Sequence, residues 1–184
     1  LIAYEHENRD WSWYSRYFAL GDEFRADLGY MPQTDFIKVV HGGSYQWFYE
    51  NPWLNRLEIS GDWDITHNEL GELLEKEAEI ALTFYGAYQS ETEFNLTQRD
   101  RVGSRFDQNI LRIDANTELF QENVFELETV VQPASGVYLE LYSEIGNKLD
   151  FRNNRMGHGL QLSPELRWNA DVHTQFTVRH TYRT

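Results

Sequence analysis

Apolar and polar residues alternate along much of this chain. Between Glu77 and Thr97 the even positions are mostly apolar or small, and the odd positions are mostly polar or charged. Successive side chains of a β-strand point to opposite faces, so the pattern predicts strand structure with one apolar face and one charged face. The run is much longer than a common strand of about 5–6 residues. Such length is typical of strands that cross a bilayer and extend beyond it.

The same alternation recurs on both sides of this run. It covers residues 37–49, 57–66, 111–116, 125–128, 137–142, 160–169 and 175–181. Turn-forming residues separate the segments, at Asn51-Pro52, at 132–136 and at 169–171, because Pro fixes φ and Gly allows positive φ. We therefore predict roughly nine strands joined by hairpins, which form an antiparallel up-and-down meander of the all-β class.

Two architectures fit an alternating meander. In a soluble β-sandwich the apolar face packs against a second sheet and the polar face meets water. In a transmembrane β-barrel the apolar face meets lipid and the polar face lines a wet lumen. The long strands and the mixed charges of the polar positions favour the barrel. We predict one outer-membrane β-barrel domain over residues 1–184, part of a larger barrel and truncated at both ends, because both termini read as interrupted strands.

Composition narrows the function classes. The 184 residues include no cysteine, which excludes disulfides and thiolate metal sites. Sixteen basic residues against 30 acidic residues give a net charge of −14, which argues against a nucleic-acid partner, since phosphate binding needs a basic surface. No apolar run is long enough for a transmembrane helix. The mean hydropathy of −0.64 does not argue against a barrel, whose strands are half polar.

Aromatic residues make up 15% of the chain and gather near the predicted strand ends. Trp and Tyr prefer the membrane–water interface, where the ring contacts lipid and its polar group stays hydrated. The residues that we predict to form an aromatic girdle are Trp11, Trp13, Tyr45, Trp47, Tyr49, Trp53 and Tyr88. The partner of such a girdle is membrane lipid or lipopolysaccharide.

The polar positions predict the surface of the lumen. The residues assigned to it are Glu58, Asp62, Asp64, Glu77, Glu79, Arg112, Glu126, Arg167 and Arg179. Charged rings filter solutes electrostatically, and an excess of acids favours cations over anions. This predicts passage or binding of small polar solutes, sugars among them.

Apart from the predicted lumen residues, few residue patterns in the sequence indicate a metal site, a nucleotide site or catalysis. Asp62 and Asp64 with Glu58 share one face, opposite Glu77 and Glu79, and clustered carboxylates can hold Ca²⁺. A solvated acidic face explains the same pattern, so no metal site and no cofactor are predicted. The six histidines form no H-E-x-x-H pair, and no nucleotide loop or hydrolase motif occurs. We therefore predict that the chain is not an enzyme.

Three segments carry a resemblance to a known family: residues 21–36 (GDEFRADLGYMPQTDF), 146–155 (GNKLDFRNNR) and 162–169 (LSPELRWN). They resemble an uncharacterised bacterial family in which a carbohydrate-binding-family-9-like β-sandwich precedes an outer-membrane β-barrel. The resemblance covers nearly the whole chain, within the barrel part. It implies location in the outer membrane of a Gram-negative bacterium, a sandwich upstream, and no catalytic residues that could be transferred.

The alternative hypothesis is a soluble carbohydrate-binding β-sandwich module. Exposed aromatic side chains such as Trp47, Trp53 and Trp63 would then stack on sugar rings. Partition of the full-length chain with and without detergent distinguishes the two hypotheses. An enzyme on either scaffold has no residue signature in this sequence.

Overall fold

The structure is a computed structural model that describes residues 1–21, 35–103 and 118–184. Within these ranges the chain is almost entirely β. The strands are β1 (Ile2–Glu7), β2 (Trp11–Leu20), β3 (Phe36–Phe48), β4 (Leu54–His67), β5 (Leu73–Gly86), β6 (Glu91–Val102), β7 (Leu119–Ala134), β8 (Val137–Asp150), β9 (Arg155–Asn169), β10 (Gln175–Arg179) and β11 (Tyr182–Arg183). A 3₁₀ turn, Ala87–Gln89, lies between β5 and β6. Among the described residues there is no helix with the length and apolar character needed to cross a bilayer.

The strands form one sheet in which each strand pairs with the next in the chain, from β1 to β10, always antiparallel. This confirms the predicted all-β antiparallel up-and-down meander. The described strands leave the sheet open, since β1 and β10 pair on one side only. The predicted Arg112 and the alternation at 111–116 lie outside the described residues.

The cross-strand register places most of the alternating apolar positions on one face. One row across the sheet runs from Tyr45 through Ile59, Leu82 and Phe94 to Leu127. Because the side-chain period of a strand is two, this register brings the intervening polar positions together on the opposite face. We call these two surfaces the apolar face and the polar face.

Burial on the two faces is the reverse of that in a soluble sheet protein. On the apolar face Ile80 and Leu96 are 50% and 55% exposed, whereas on the polar face Asp64 and Glu122 are each 5% exposed. Large apolar side chains lie in the open, and none in the described part of the chain is fully buried. The hydrogen-bonded ladders and the polar face therefore hold this sheet together, because it contains no apolar core of the usual kind.

The two ends of the sheet differ in their connections. At one end all the turns are short: residues 8–10, 49–53, 87–90, 135–136 and 170–174. We call this the short-turn end. The opposite end carries the two longest connections, residues 21–35 and 103–118.

In the turn at 170–174 the carboxylate of Asp171 accepts the backbone N–H of His173 at 2.7 Å, which holds the pKa of that carboxyl below its usual value.

The run from Glu77 to Thr97, predicted as one long strand, is two strands. It folds back at Ala87–Gln89, where Tyr88 and Gln89 adopt positive φ. Leu82 pairs with Phe94, so even positions face even positions across the hairpin. The even positions are therefore apolar both before and after the turn, so the alternation in the sequence gives no sign of the turn.

Two prolines interrupt the ladders. Pro133 lies in β7, where the register with β8 shifts between Val131 and Ala134, so β7 continues three residues into the predicted turn. Pro164 lies in β9 and accepts the His180 N–H at 3.1 Å. Proline has no N–H to return that bond. The strand beside β9 is therefore split at this point into β10 and β11, which keep one register.

Candidate functional site

The candidate site is the polar face. The register places on it all the predicted lumen residues that the structure describes: Glu58, Asp62, Asp64, Glu77, Glu79, Glu126, Arg167 and Arg179. They do not form one cluster but spread over strands β4 to β10. Their local environments differ, and so does the chemistry that each group can support.

The densest charge network surrounds two arginines of β6. Arg99 forms an ion pair with Glu77 on β5, and its Nη1 lies 3.5 Å from Glu122 Oε2 on β7. Arg101 lies 3.4 Å from Glu75 and 3.8 Å from Glu122. Ion pairs that bridge three strands hold their side chains in place better than an isolated surface pair does. Lys38 on β3 joins the same network, at 2.9 Å from Asp64 and 3.8 Å from Glu75. We call this network the ion-pair belt, formed by Lys38, Asp64, Glu75, Glu77, Arg99, Arg101 and Glu122.

Glu122 is the most constrained carboxylate of the belt. Its side chain is nearly buried, its Oε2 contacts both arginines, and its Oε1 accepts the backbone N–H of Leu149 on β8 at 2.6 Å. Sequence analysis missed Arg99, Arg101 and Glu122 as site residues. Positions 98–101 are all polar, so alternation does not assign them to a face, and only the register across β5, β6 and β7 does.

Three carboxylates converge at the edge of the ion-pair belt, and two of them belong to it. One ligand oxygen each of Asp62, Asp64 and Glu77 lies within 4.8 Å of the other two. Tyr14 on β2 donates its hydroxyl to Asp62 Oδ2 at 3.0 Å, and Lys38 Nζ on β3 lies 2.9 Å from Asp64 Oδ2. We call Asp62, Asp64 and Glu77 the carboxylate trio.

Gly42 on β3 makes room for the Tyr14 contact. Tyr14 and Asp62 lie on either side of Gly42 in the register, so the tyrosine must reach across this residue. A Cβ at position 42 would lie 2.5 Å from the ring carbon Cζ of Tyr14 and 2.7 Å from Asp62 Cβ. The absence of a side chain at this position is therefore what lets the ring lie over β3 and hold the carboxylate.

We expect Gly42→Ala to destabilise the folded protein by about 1–3 kcal/mol, because the added methyl group forces the tyrosine ring and β4 to shift. The measurement is the free energy of unfolding in urea, in detergent or lipid vesicles. Gly157→Ala is the matched control, since a Cβ at that position meets its nearest atom at an ordinary 3.7 Å. Equal effects of the two substitutions would contradict the packing role of Gly42.

The half of the polar face nearer the short-turn end is acidic. Glu93 lies directly opposite Glu128, and Glu126 directly opposite Glu144. Like charges directly opposite each other in a sheet are unfavourable. Here the Tyr142 hydroxyl lies 2.9 Å from both Glu126 and Glu144, and Lys148 Nζ lies 2.5 Å from Glu144. We call this surface the acidic patch, formed by Glu91, Glu93, Glu126, Glu128, Glu140 and Glu144.

A separate group of charges lies on β9 and β10, where one carboxylate is placed between two guanidinium groups. Glu165 on β9 is held by Arg167 at 2.8 Å and by Arg179 on β10, and its side chain is only 3% exposed. Arg167 also lies 4.8 Å over the ring of Tyr138. The two predicted lumen arginines therefore neutralise a buried acid that the prediction did not include. The three groups together carry a net charge of +1, since one carboxylate offsets only one of the two guanidinium charges.

The predicted girdle residues all lie towards the short-turn end. Four of them, Trp11, Trp13, Tyr45 and Trp47, occupy the apolar face of β2 and β3. The others lie in turns: Tyr49 and Trp53 between β3 and β4, and Tyr88 between β5 and β6. Within the first group Tyr45 and Trp47 have ring centroids 4.7 Å apart. These seven side chains thus lie near one end of the neighbouring strands β2 to β6, next to the short turns.

Comparisons of the chain with protein-family models, curated proteins and solved structures find no match. The resemblance to a family with a carbohydrate-binding-family-9-like domain and a barrel therefore stays a prediction.

Proposed function

We propose that this chain is part of a bacterial outer-membrane β-barrel that passes or binds small polar solutes along its polar face. The observation that supports this most directly is the reversed burial of the two faces. A continuous surface of exposed large apolar side chains in water carries a free-energy cost of roughly 25 cal/mol per Å². Acyl chains remove that cost, and a wet lumen keeps the opposite charges hydrated.

Strand length supports the proposal. A tilted strand needs about 9–11 residues to cross the hydrocarbon core. The strands from β3 to β9 have 12 to 16 residues each. Each of them is long enough to span the membrane and to extend beyond it.

The two ends of the sheet support an orientation. Outer-membrane barrels have short periplasmic turns and longer extracellular loops, with aromatic girdles at the interfaces. We assign the short-turn end, with its aromatic side chains, to the periplasmic side. The connections at 21–35 and 103–118 then lie on the extracellular side.

The charges of the polar face favour cationic over anionic solutes. Arg99 and Arg101 are engaged in the ion-pair belt, and Arg167 and Arg179 are engaged with Glu165. In the acidic patch only Glu144 has a cationic partner among the described residues, Lys148. The excess of unpaired carboxylates gives the polar face a negative potential, which concentrates cations.

Spin labels at two adjacent positions test the proposal. The chain has no cysteine, so Glu93→Cys and Phe94→Cys each provide one attachment site, on the polar and the apolar face of β6. In lipid vesicles we expect the label at 94 to be relaxed by oxygen, which concentrates in lipid, and the label at 93 by a water-soluble nickel chelate. The measurement is the collision rate by electron paramagnetic resonance. A label at 94 shielded from both reagents would contradict the proposal and indicate a protein core.

The soluble carbohydrate-binding sandwich remains the alternative outcome of this test. It requires a second sheet over the apolar face, and the described strands form one sheet only. On the polar face, the rings of Tyr14, Tyr85 and Tyr138 each have a guanidinium group within 5 Å of their centroid. Those three ring surfaces are therefore occupied, whereas Trp47, Trp53 and Trp63, the residues that this hypothesis names, are exposed.

A further inference from the structure

We infer that the carboxylate trio of Asp62, Asp64 and Glu77 binds a divalent cation of the calcium type. The oxygens of one Ca²⁺ shell lie about 2.4 Å from the ion, so any two of them are at most about 4.8 Å apart. One oxygen from each of the three carboxylates meets that limit. The three residues come from adjacent positions of β4 and β5, two of them directly paired in the register.

Asp64 provides a second and independent observation. The residue is only 5% exposed, and its Oδ1 has no hydrogen-bond partner. A carboxylate oxygen only accepts, so a buried one without a donor costs free energy until a cation or water binds it. This oxygen is on a member of the trio, and a bound cation would satisfy it.

The neighbours of the trio orient its carboxylates. One oxygen of each is engaged by a protein group: Asp62 Oδ2 by the Tyr14 hydroxyl, Asp64 Oδ2 by Lys38, and Glu77 Oε2 by Arg99. These contacts hold the three carboxylates close to one another on the polar face. Outer groups of this kind fix the orientation of metal ligands and strengthen binding in known sites.

The charge balance of this region also favours a divalent cation. Five carboxylates, from the trio with Glu75 and Glu122, face three cationic side chains, Lys38, Arg99 and Arg101. Glu79, directly opposite Asp62, adds a sixth carboxylate, so negative charge stays in excess here and favours a bound cation. All three candidate ligands are carboxylates, which suit Ca²⁺ and Mg²⁺ rather than softer metals. Ca²⁺ accepts the irregular geometry of adjacent strand positions more readily than Mg²⁺, which demands a near-ideal octahedron.

The test is a calorimetric titration of the folded, chelator-treated full chain with CaCl₂ and, separately, with MgCl₂. We expect saturable binding of one Ca²⁺ per chain and weaker binding of Mg²⁺. Asp62→Asn and Glu77→Gln each remove one ligand charge with little change of shape, and each should weaken Ca²⁺ binding about tenfold or more. Two variants are used so that a folding failure of one leaves the other to decide.

Glu128→Gln is the matched control, because it removes one carboxylate from the same face but outside the trio. We expect it to weaken Ca²⁺ binding much less than either trio variant does, because it changes only the general potential of the face. Absence of saturable Ca²⁺ binding to the unaltered chain would overturn the inference. An equal loss in Glu128→Gln and the trio variants would also overturn it, since that result indicates diffuse attraction by the acidic face. Neither outcome depends on whether the apolar face meets lipid, so failure here is distinct from failure of the proposed function.

Discussion

Replacement of Leu96 by arginine is expected to destabilise the protein in a bilayer by about 2–4 kcal/mol, the cost of an arginine on the lipid face near the membrane centre. Leu96 lies at the middle of β6 on the apolar face and is 55% exposed, next to Ile80 of β5. In a soluble protein a half-exposed leucine of this kind tolerates arginine within about 0.5 kcal/mol. The two interpretations of the apolar face therefore predict effects of clearly different size.

Thr97→Arg is the control for this prediction. Thr97 is the next residue of β6, and its side chain lies on the polar face beside Glu79, where an added cation finds acidic neighbours. We expect its effect to be small. The measurement for both variants is the free energy of folding into lipid vesicles from a urea titration. A Leu96→Arg protein as stable as the Thr97→Arg protein would refute lipid contact at this face.

Assignment of residues to the two faces could be predicted from sequence because it depends on a local rule. Leu57, Ile59 and Trp63 alternate with Glu58, Asp62 and Asp64 within β4, and the period of two fixes their opposite orientation whatever the neighbouring strands do. The all-β class and the antiparallel meander follow from such alternation together with short turns. Those predictions are confirmed.

Strand limits were harder to predict, because alternation does not mark a turn that preserves its parity. The chain reverses after Gly86, yet Phe84 and Phe94 on either side of the turn share one face. Likewise Pro133 reads as a turn residue but lies in β7, where a register shift accommodates it. Local propensity gave the wrong limit in that segment because pairing with β8 decides where β7 ends.

The pairing of charges on the polar face could not be predicted, because it is a property of register and not of one strand. Arg99 lies between Glu77 and Glu122 only because β6 lies between β5 and β7 with one particular offset. A slip of one residue would turn these side chains to the other face. The sequence identified acids and bases of the lumen surface but not which of them neutralise each other. Net charge is therefore a poor guide to the local potential, and the acidic patch emerges only from the register.

The acidic patch leads to the second prediction of large effect, which concerns ion selectivity. The triple variant Glu126→Gln, Glu128→Gln and Glu140→Gln is expected to lower the ratio of cation to anion permeability towards one. A unit charge about 4 Å from a permeating ion contributes about 1 kcal/mol in water, favourable for a cation and unfavourable for an anion. The difference of about 2 kcal/mol corresponds to a factor of about 30 in the ratio. The measurement is the reversal potential of the full-length protein in a planar bilayer under a salt gradient.

Two further variants make this measurement specific to the patch. Glu128→Asp keeps the charge and should keep the selectivity, whereas Asp171→Asn removes a charge from the turn between β9 and β10 and should change little. Raising the salt concentration should reduce the difference between the unaltered chain and the triple variant, because the Debye length falls to about 3 Å at 1 M. If the triple variant keeps the reversal potential of the unaltered chain at low salt, ions do not pass along this face. The carboxylates of β6 to β8 would then have a structural role only. Their like-charge pairs would lower the stability of the sheet without contributing to transport.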